Sequence, residues 1–169
     1  MSDAEPMIVL ENVYKIFGPN PRGRAFDLCS SGVGKDEVQR QTGHVVGMRD
    51  ISFDVQRGEI FVVMGLSGSG KSTAIRTVNK LHAVTHGRVL VDGIDVQQLR
   101  GANLQSFRRE KTAMVFQHFA LFPHRNVIDN TAYGLKVQGV DKKERHEAAI
   151  EALAMVGLEA YAFNATRQL

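Results

Sequence analysis

Nine consecutive residues have the types and spacing of a phosphate-binding loop. They read Gly-Leu-Ser-Gly-Ser-Gly-Lys-Ser-Thr from position 65, which fits the pattern Gly-x4-Gly-Lys-Ser. Glycines let the backbone wrap closely around an anion, the lysine ammonium neutralises phosphate charge, and the serine hydroxyl ligates Mg2+. We therefore predict that a nucleotide phosphate is bound by Gly65, Ser67, Gly68, Ser69, Gly70, Lys71, Ser72 and Thr73.

The loop lies where the motif requires it, between an apolar run and a helix-compatible stretch. Residues 60–64 read Ile-Phe-Val-Val-Met and predict a buried strand, and residues 73–81 predict a helix. This strand–loop–helix context separates a phosphate-binding loop from an ordinary glycine-rich turn. The loop alone leaves the reaction open, because kinases, GTPases, helicases and transport ATPases share it.

The bulk composition is that of a soluble domain. Of the 169 residues, 43% are hydrophobic and 23% are charged, and the net charge is +3. No apolar run approaches the roughly 20 residues that span a membrane, and the polar, acidic residues 1–6 do not form a signal peptide, so we expect a cytoplasmic protein. The scattered basic residues give nucleic-acid binding little support. The single cysteine, Cys29, excludes an internal disulfide and is interpreted as a spectator thiol in a loop.

Apolar alternation and short apolar runs predict the other strands. Residues 7–17 are rich in β-branched and aromatic side chains, and residues 44–56 alternate as a half-buried strand does. An Asp-Gly pair predicts a tight turn between two short strands over 88–96. A further apolar strand is predicted at 112–116, and residues 44–64 are expected to form a hairpin.

Capping residues and periodicity predict the helices. Asp141 opens a capping box with Glu144. The helix that starts there has apolar residues at helical spacing and Gly157 as its predicted C-cap. Helices are also predicted over 102–109, over 127–137, and over 35–40 within an otherwise polar and irregular segment at 19–43.

Five stretches of the sequence carry a family resemblance. They are VYKIFG, GEIFVVMGLSGSGKST, GRVLVDGIDV, AMVFQHFALFPHRNVIDNTAYGL and ALAMVGL. In order and spacing they resemble the ATP-binding subunits of ABC transporters. The insertion at 19–47 and the segment MVFQHFALFPHRNVIDNTAYG closely resemble the ATPase subunit of glycine betaine/proline betaine (quaternary amine) importers.

The resemblance implies an α/β P-loop NTPase fold. Residues 1–59 and 86–97 would form an N-terminal antiparallel β subdomain that carries the insertion. Residues 60–85 and 98–118 would form the core, with the phosphate loop and an incomplete parallel sheet. Residues 119–169 would begin a helical subdomain.

The resemblance implies roles for two residues outside the loop. Phe17 falls where the family places the aromatic side chain that stacks on adenine, and a flat phenyl face suffices for that contact. Gln117 falls where the family places the glutamine that contacts Mg2+ and the attacking water, and its amide suits both contacts. The implied cofactors are ATP and Mg2+, with Ser72 and Gln117 as the metal contacts.

The implied partners are those of an importer ATPase at the cytoplasmic face of the plasma membrane. Residues 117–125 correspond to the region that docks on the membrane permease. Phe119, Leu121 and Phe122 are candidate docking residues, although packing inside the helical subdomain is an equally good interpretation for each. A second ATPase subunit would complete a homodimer, a solute-binding protein would act indirectly, and no nucleic acid is implied.

Three family elements have no counterpart within these 169 residues: the signature segment, the strand ending in Asp-Glu, and the switch histidine. Gln168-Leu169 matches the pair that precedes the signature in the family. We therefore expect the chain to contact nucleotide but to hydrolyse it poorly. Because apolar strand edges would be exposed, we also expect it to be poorly soluble or partly molten.

Two alternatives follow from the loop. Another P-loop enzyme, such as a small-molecule kinase, would need an acceptor pocket and usually an arginine-bearing lid. A GTPase would need an Asn-Lys-x-Asp base reader, whereas residues 79–82 read Asn-Lys-Leu-His. The remaining alternative is non-enzymatic: a non-functional or regulatory nucleotide-binding piece without turnover.

Overall fold

The computed structural model describes residues 5–117 and 120–168. The chain divides between Leu104 and Gln105 into two compact units. In the described residues, no helix combines the length and apolar character needed to cross a membrane.

The first unit is built on an antiparallel sheet, which in the described residues has four strands in the order β2-β1-β3-β4. The strands are β1 (Ile8–Phe17), β2 (Val45–Val55), β3 (His86–Val91) and β4 (Ile94–Asp95). β1 pairs with both β2 and β3, and the side chain of Ile16 is fully buried, as its β-branched shape favours. The strands predicted at 7–17, 44–56 and 88–96 are confirmed.

Two helices, α1 (Arg24–Ser30) and α2 (Lys35–Thr42), fill the segment between β1 and β2. Cys29 of α1 and Val38 of α2 pack with Ile16 of β1 in one hydrophobic cluster. The short helix predicted here is confirmed, but the irregular conformation predicted around it is wrong because α1 forms. Cys29 is fully buried, so it is a core residue and not a spectator thiol in a loop.

Residues 60–64 lead to the phosphate loop without forming a strand. Ile60, Val62 and Met64 are 90%, 66% and 85% exposed. The predicted buried strand and its hairpin with β2 are therefore wrong, since β2 pairs with β1 and no described segment supplies strand hydrogen bonds to residues 60–64. The helix after the loop is confirmed as α3 (Lys71–Val78).

Helices dominate the described part of the chain from residue 101 onwards. They are α4 (Gly101–Lys111), α5 (Val127–Thr131), α6 (Tyr133–Val137) and α7 (Lys142–Ala154), followed by two single 3-10 turns, Glu159–Tyr161 and Thr166–Gln168. The core of the second unit consists of small and branched apolar side chains, namely Val127, Ile128, Ala132, Ala149, Leu153 and Ala162.

Three details of this region differ from the sequence predictions. Residues 112–116 form no strand, and Val115 is 98% exposed, because this run also lacks a paired neighbour in the described residues. The helix predicted over 127–137 is broken into α5 and α6 at Ala132. Asp141 does cap α7 by accepting a hydrogen bond from Lys143 N at 2.8 Å, but the helix ends at Ala154, with Met155 rather than Gly157 as its C-cap.

Candidate nucleotide-binding site

The phosphate loop leads directly into α3. Gly70 immediately precedes the helix, and Lys71 is the first helical residue. Amides in the first turn of a helix have no intrahelical partner, and the helix dipole adds positive potential there. The amides of Lys71, Ser72 and Thr73 are therefore oriented to bind an anion that lies in the loop.

The Lys71 side chain folds back into the loop. Its ammonium donates to Gly65 O and Leu66 O, each at 2.7 Å, and lies 3.4 Å from Ser69 Oγ. These bonds hold the loop in a curl around its only cation. A phosphate group entering the curl would meet a positive charge that is already in position.

Gly70 occupies a position at which any other residue would be strained. Its φ of +97° lies in the left-handed region. A Cβ added there would overlap Gly47 O of β2 and lie 3.5 Å from Met48 Cγ. The glycine therefore allows the loop to pack directly against β2.

The remaining predicted loop residues are accessible. Ser69 N donates to Leu66 O at 3.2 Å and closes a tight turn. Ser72 is exposed on the first turn of α3, and its hydroxyl is the kind of oxygen ligand that Mg2+ takes alongside phosphates and water. The described residues contain no cluster of three or more His, Cys, Asp or Glu side chains that suits a metal.

Phe17 ends β1 opposite Val45 of β2. The Lys15 ammonium lies 4.8 Å from the Phe17 ring centroid, over one face, and the His82 ring makes an edge contact at 5.3 Å. Burial lowers the pKa of Lys15. Burial, followed by the charges of Lys15 and Arg76, lowers the pKa of His82 and so favours its neutral imidazole.

A cavity of about 310 Å³ opens between the loop and β2. Gly68 and Ser69 line it from the loop, Val46 and Gly47 line it from β2, and Lys35 lines it from the start of α2. The insertion between β1 and β2 therefore contributes a cationic side chain to the cavity that contains the tip of the phosphate loop.

Gln117 lies in the second unit and is exposed. Phe119, one of the predicted docking residues, lies outside the described residues. Leu121 is 48% exposed, which suits a docking side chain. Phe122 instead packs inside the unit, with its ring 4.5 Å from that of Tyr133.

Two residues with clear structural roles were not identified from the sequence. Gly47 contacts both the Phe17 ring and the phosphate loop, and a single glycine in a strand gave no signal for that. The Asn130 side chain makes four hydrogen bonds to the backbone between Phe122 and Asn126: it donates three and accepts one. Its position one turn into a predicted helix concealed this role.

The family model of the ABC transporter matches residues 48–169. The chain thus belongs to the ABC transporter family, as the sequence resemblance predicted. Family membership decides against the small-molecule kinase and GTPase interpretations of the loop.

Curated relatives refine this assignment. The chain is 50% identical over 153 residues to the glycine betaine/proline betaine transport system ATP-binding protein ProV of Escherichia coli (strain K12). It is 47% identical over 160 residues to the glycine betaine transport ATP-binding protein OpuAA of Bacillus subtilis (strain 168). These alignments cover 90% and 94% of the chain but only 38% of either relative.

Solved structures agree on the fold. The chain superposes with a TM-score of 0.77 and 28% identity on the ATP-binding cassette MJ0796, in a dimeric post-hydrolysis state bound to ADP and Pi. The match covers 96% of the chain and 63% of that cassette. The predicted fold class is confirmed, even though residues 60–64 and 112–116 lack strand pairing.

Proposed function

We propose that this chain binds Mg-ATP through residues 65–73 as the ATP-binding part of an ABC importer for glycine betaine and proline betaine-type osmolytes. The observation that carries the proposal is the Lys71 ammonium held inside the loop curl at the start of α3. The names of the curated relatives support the transported class.

The phosphates would lie in the curl of the loop. The amides of residues 70–73 would donate to their oxygens, and Lys71 would exchange its bonds to Gly65 O and Leu66 O for bonds to the outer phosphates. This exchange would favour binding, because the ammonium would give up hydrogen bonds to neutral carbonyl oxygens and gain hydrogen bonds to charged phosphate oxygens.

The base would stack on Phe17. The Lys15 ammonium covers one ring face, so adenine would take the opposite face. The His82 ring, whose pKa is lowered by burial, makes an edge-type contact with the Phe17 ring.

Mg2+ would be held by the Ser72 hydroxyl together with the nucleotide, as the family resemblance implies. The metal would neutralise charge on the outer phosphates. The roles that belong to this chain's residues are those of an oxygen ligand at Ser72 and an amide at Gln117 that orients a water molecule.

Importer partners follow from the same assignment. We propose a peripheral position on the cytoplasmic face of the membrane, a second ATPase subunit, a permease contacted by the segment around Leu121, and an indirect solute-binding partner. The chain alone is proposed to hydrolyse ATP poorly, since no Asp-Glu strand or signature segment occurs within its 169 residues.

Amide NMR with two ligands tests the proposal. Mg-ATP should shift the amide resonances of residues 65–73 and of Phe17, whereas adenosine, which lacks phosphates, should shift Phe17 but not the loop. The amides of α7 serve as an internal control and should not respond. A response to Mg-ATP that omits residues 65–73 would refute the proposed site.

A further inference from the structure

Gly47 lies in β2 between the Phe17 ring and the phosphate loop. A Cβ added at Gly47 would lie 2.6 Å from Phe17 Cε2 and 3.3 Å from Cδ2. The Gly47 carbonyl oxygen is the atom against which Gly70 packs. One residue without a side chain therefore contacts the candidate base-stacking ring and the loop that would hold the phosphates.

The position of the Phe17 ring depends on this contact. Carbon atoms do not approach to 2.6 Å without repulsion, so any side chain at position 47 forces the ring to move. The Lys15 ammonium and the His82 ring also contact the ring. A displaced ring would have to disturb one of them.

The backbone of Gly47 does not itself require glycine. Its φ lies outside the positive range. The residue lies in β2 at a register shift between Val46 and Met48, which pair with Ile16 and Lys15 of β1. Replacement by alanine therefore adds volume against the ring without straining the backbone. Gly47→Ala is a test of ring position and not of chain flexibility.

We propose that Gly47 is a positioning residue for adenine recognition: it sets the place of the Phe17 ring relative to the phosphate loop. The inference rests on the proposed function, in which Phe17 stacks on the base. It predicts that enlarging residue 47 weakens the contact with the base and leaves the contact with the phosphates intact.

The test compares Mg-ATP with Mg-tripolyphosphate, which has phosphates but no base. Gly47→Ala should weaken Mg-ATP binding about tenfold, a typical consequence of a lost stacking contact. Tripolyphosphate affinity should stay within about twofold, which is below the effect of one ordinary hydrogen bond. Gly34→Ala is the matched control, because a Cβ at Gly34 meets nothing within 4 Å and its φ is −59°.

A double-mutant cycle separates this role from a general structural one. Phe17→Leu alone should weaken Mg-ATP binding, and adding Gly47→Ala to it should change little, because the ring that Gly47 positions is gone. If Gly47→Ala does not fold by itself, the double variant should fold, since leucine leaves room for the new methyl group.

The outcomes distinguish a failure of the positioning role of Gly47 from a failure of the proposed function. If Phe17→Leu weakens Mg-ATP binding and Gly47→Ala does not, Gly47 has no positioning role and the proposed function stands. Equal losses for Mg-ATP and tripolyphosphate in Gly47→Ala would also overturn the inference. If the unchanged chain binds neither ligand, or Phe17→Leu binds Mg-ATP normally, the base contact in the proposed function fails and the inference fails with it.

Discussion

At the scale of single residues, the site depends on a lysine and a few glycines, and the sequence motif predicted the type of role that each one has. Lys71 lies inside the loop, and Gly70 has the left-handed conformation that the motif requires. The pattern did not predict that Gly70 packs on Gly47 of β2, because that contact joins residues far apart in sequence. The sequence therefore predicted the roles within the loop, but not the packing of Gly70 on Gly47.

Gly70→Ala should destabilise the first unit by about 1–3 kcal/mol, because it combines a left-handed φ with overlap against Gly47 O. Chemical denaturation monitored by circular dichroism measures the loss. Gly34→Ala, which adds a methyl group in open space, should change the free energy of unfolding far less. Equal stability of the two variants would show that the loop does not pack on β2 as described.

At the scale of elements, strands with paired neighbours were predicted well and strands without them were not. β1 was found from its β-branched and aromatic residues and β2 from alternation, and the two strands hydrogen-bond to each other. The run at 60–64 has the same apolar character but forms no strand, since secondary structure in a sheet depends on partners that a local pattern cannot reveal. Helix α1 was missed because it is only seven residues long and follows a glycine- and proline-rich turn.

Helix α2 carries an ion pair that makes its stability depend on pH. Hydrogen bonds from Arg40 and then Gln41 lower the pKa of Glu37 to about 2 from an ordinary 4.5. A carboxylate with a lowered pKa stabilises the folded state above its ordinary pKa, and this contribution is lost as the pH falls from about 4.5 towards about 2.

In Glu37→Gln, the thermal unfolding midpoint should therefore fall less steeply than in the unchanged chain as the pH decreases across that range. Thermal unfolding at a series of pH values measures the slope. Arg40→Gln, which removes the hydrogen-bond donor but keeps the carboxylate, should reduce the midpoint at neutral pH. An unchanged acid slope in Glu37→Gln would refute the contribution of this pair.

In the second unit, Asn130 holds the chain that precedes α5. Its Nδ2 donates to the carbonyl oxygens of Phe122, Arg125 and Asn126 at 3.2, 3.3 and 2.9 Å, and its Oδ1 accepts from Phe122 N at 2.8 Å. Asn130→Ala should cost about 1–3 kcal/mol, because several partly buried backbone groups lose their partner together. Hydrogen exchange at residues 122–126 should accelerate.

Gln138→Ala is a suitable control for that variant. Gln138 is exposed at the end of α6, so its replacement should leave exchange at residues 122–126 unchanged. If Asn130→Ala and Gln138→Ala exchange alike, the asparagine does not organise this segment.

At the scale of the whole molecule, the chain combines an ordered antiparallel sheet with an exposed apolar segment. Besides Ile60, Val62 and Met64, Leu66 is 86% exposed in the same stretch. Contiguous exposed apolar side chains of this kind mark a surface that other protein covers or that promotes association. The sequence predicted exposed apolar strand edges in this region; the structure exposes the apolar side chains, but the segment forms no strand.

The purified chain should accordingly bind the dye anilinonaphthalene sulfonate and self-associate as its concentration rises. The double substitution Val62→Lys and Met64→Lys should reduce both effects, because it places charges in the exposed segment. Dye fluorescence and light scattering measure them. A monomeric chain that binds no dye and unfolds with a sharp midpoint would contradict this prediction.

The most direct test of the account is calorimetric titration of the chain with Mg-ATP, followed by an assay of phosphate release from the same samples. The account predicts saturable binding with very little turnover. Lys71→Ala should bind about tenfold or more weakly, since charge-assisted hydrogen bonds to phosphate are lost. Lys143→Ala, an exposed lysine on α7, should bind like the unchanged chain. Mg-ATP binding that is equal in the Lys71→Ala variant and the unchanged chain would contradict the central claim.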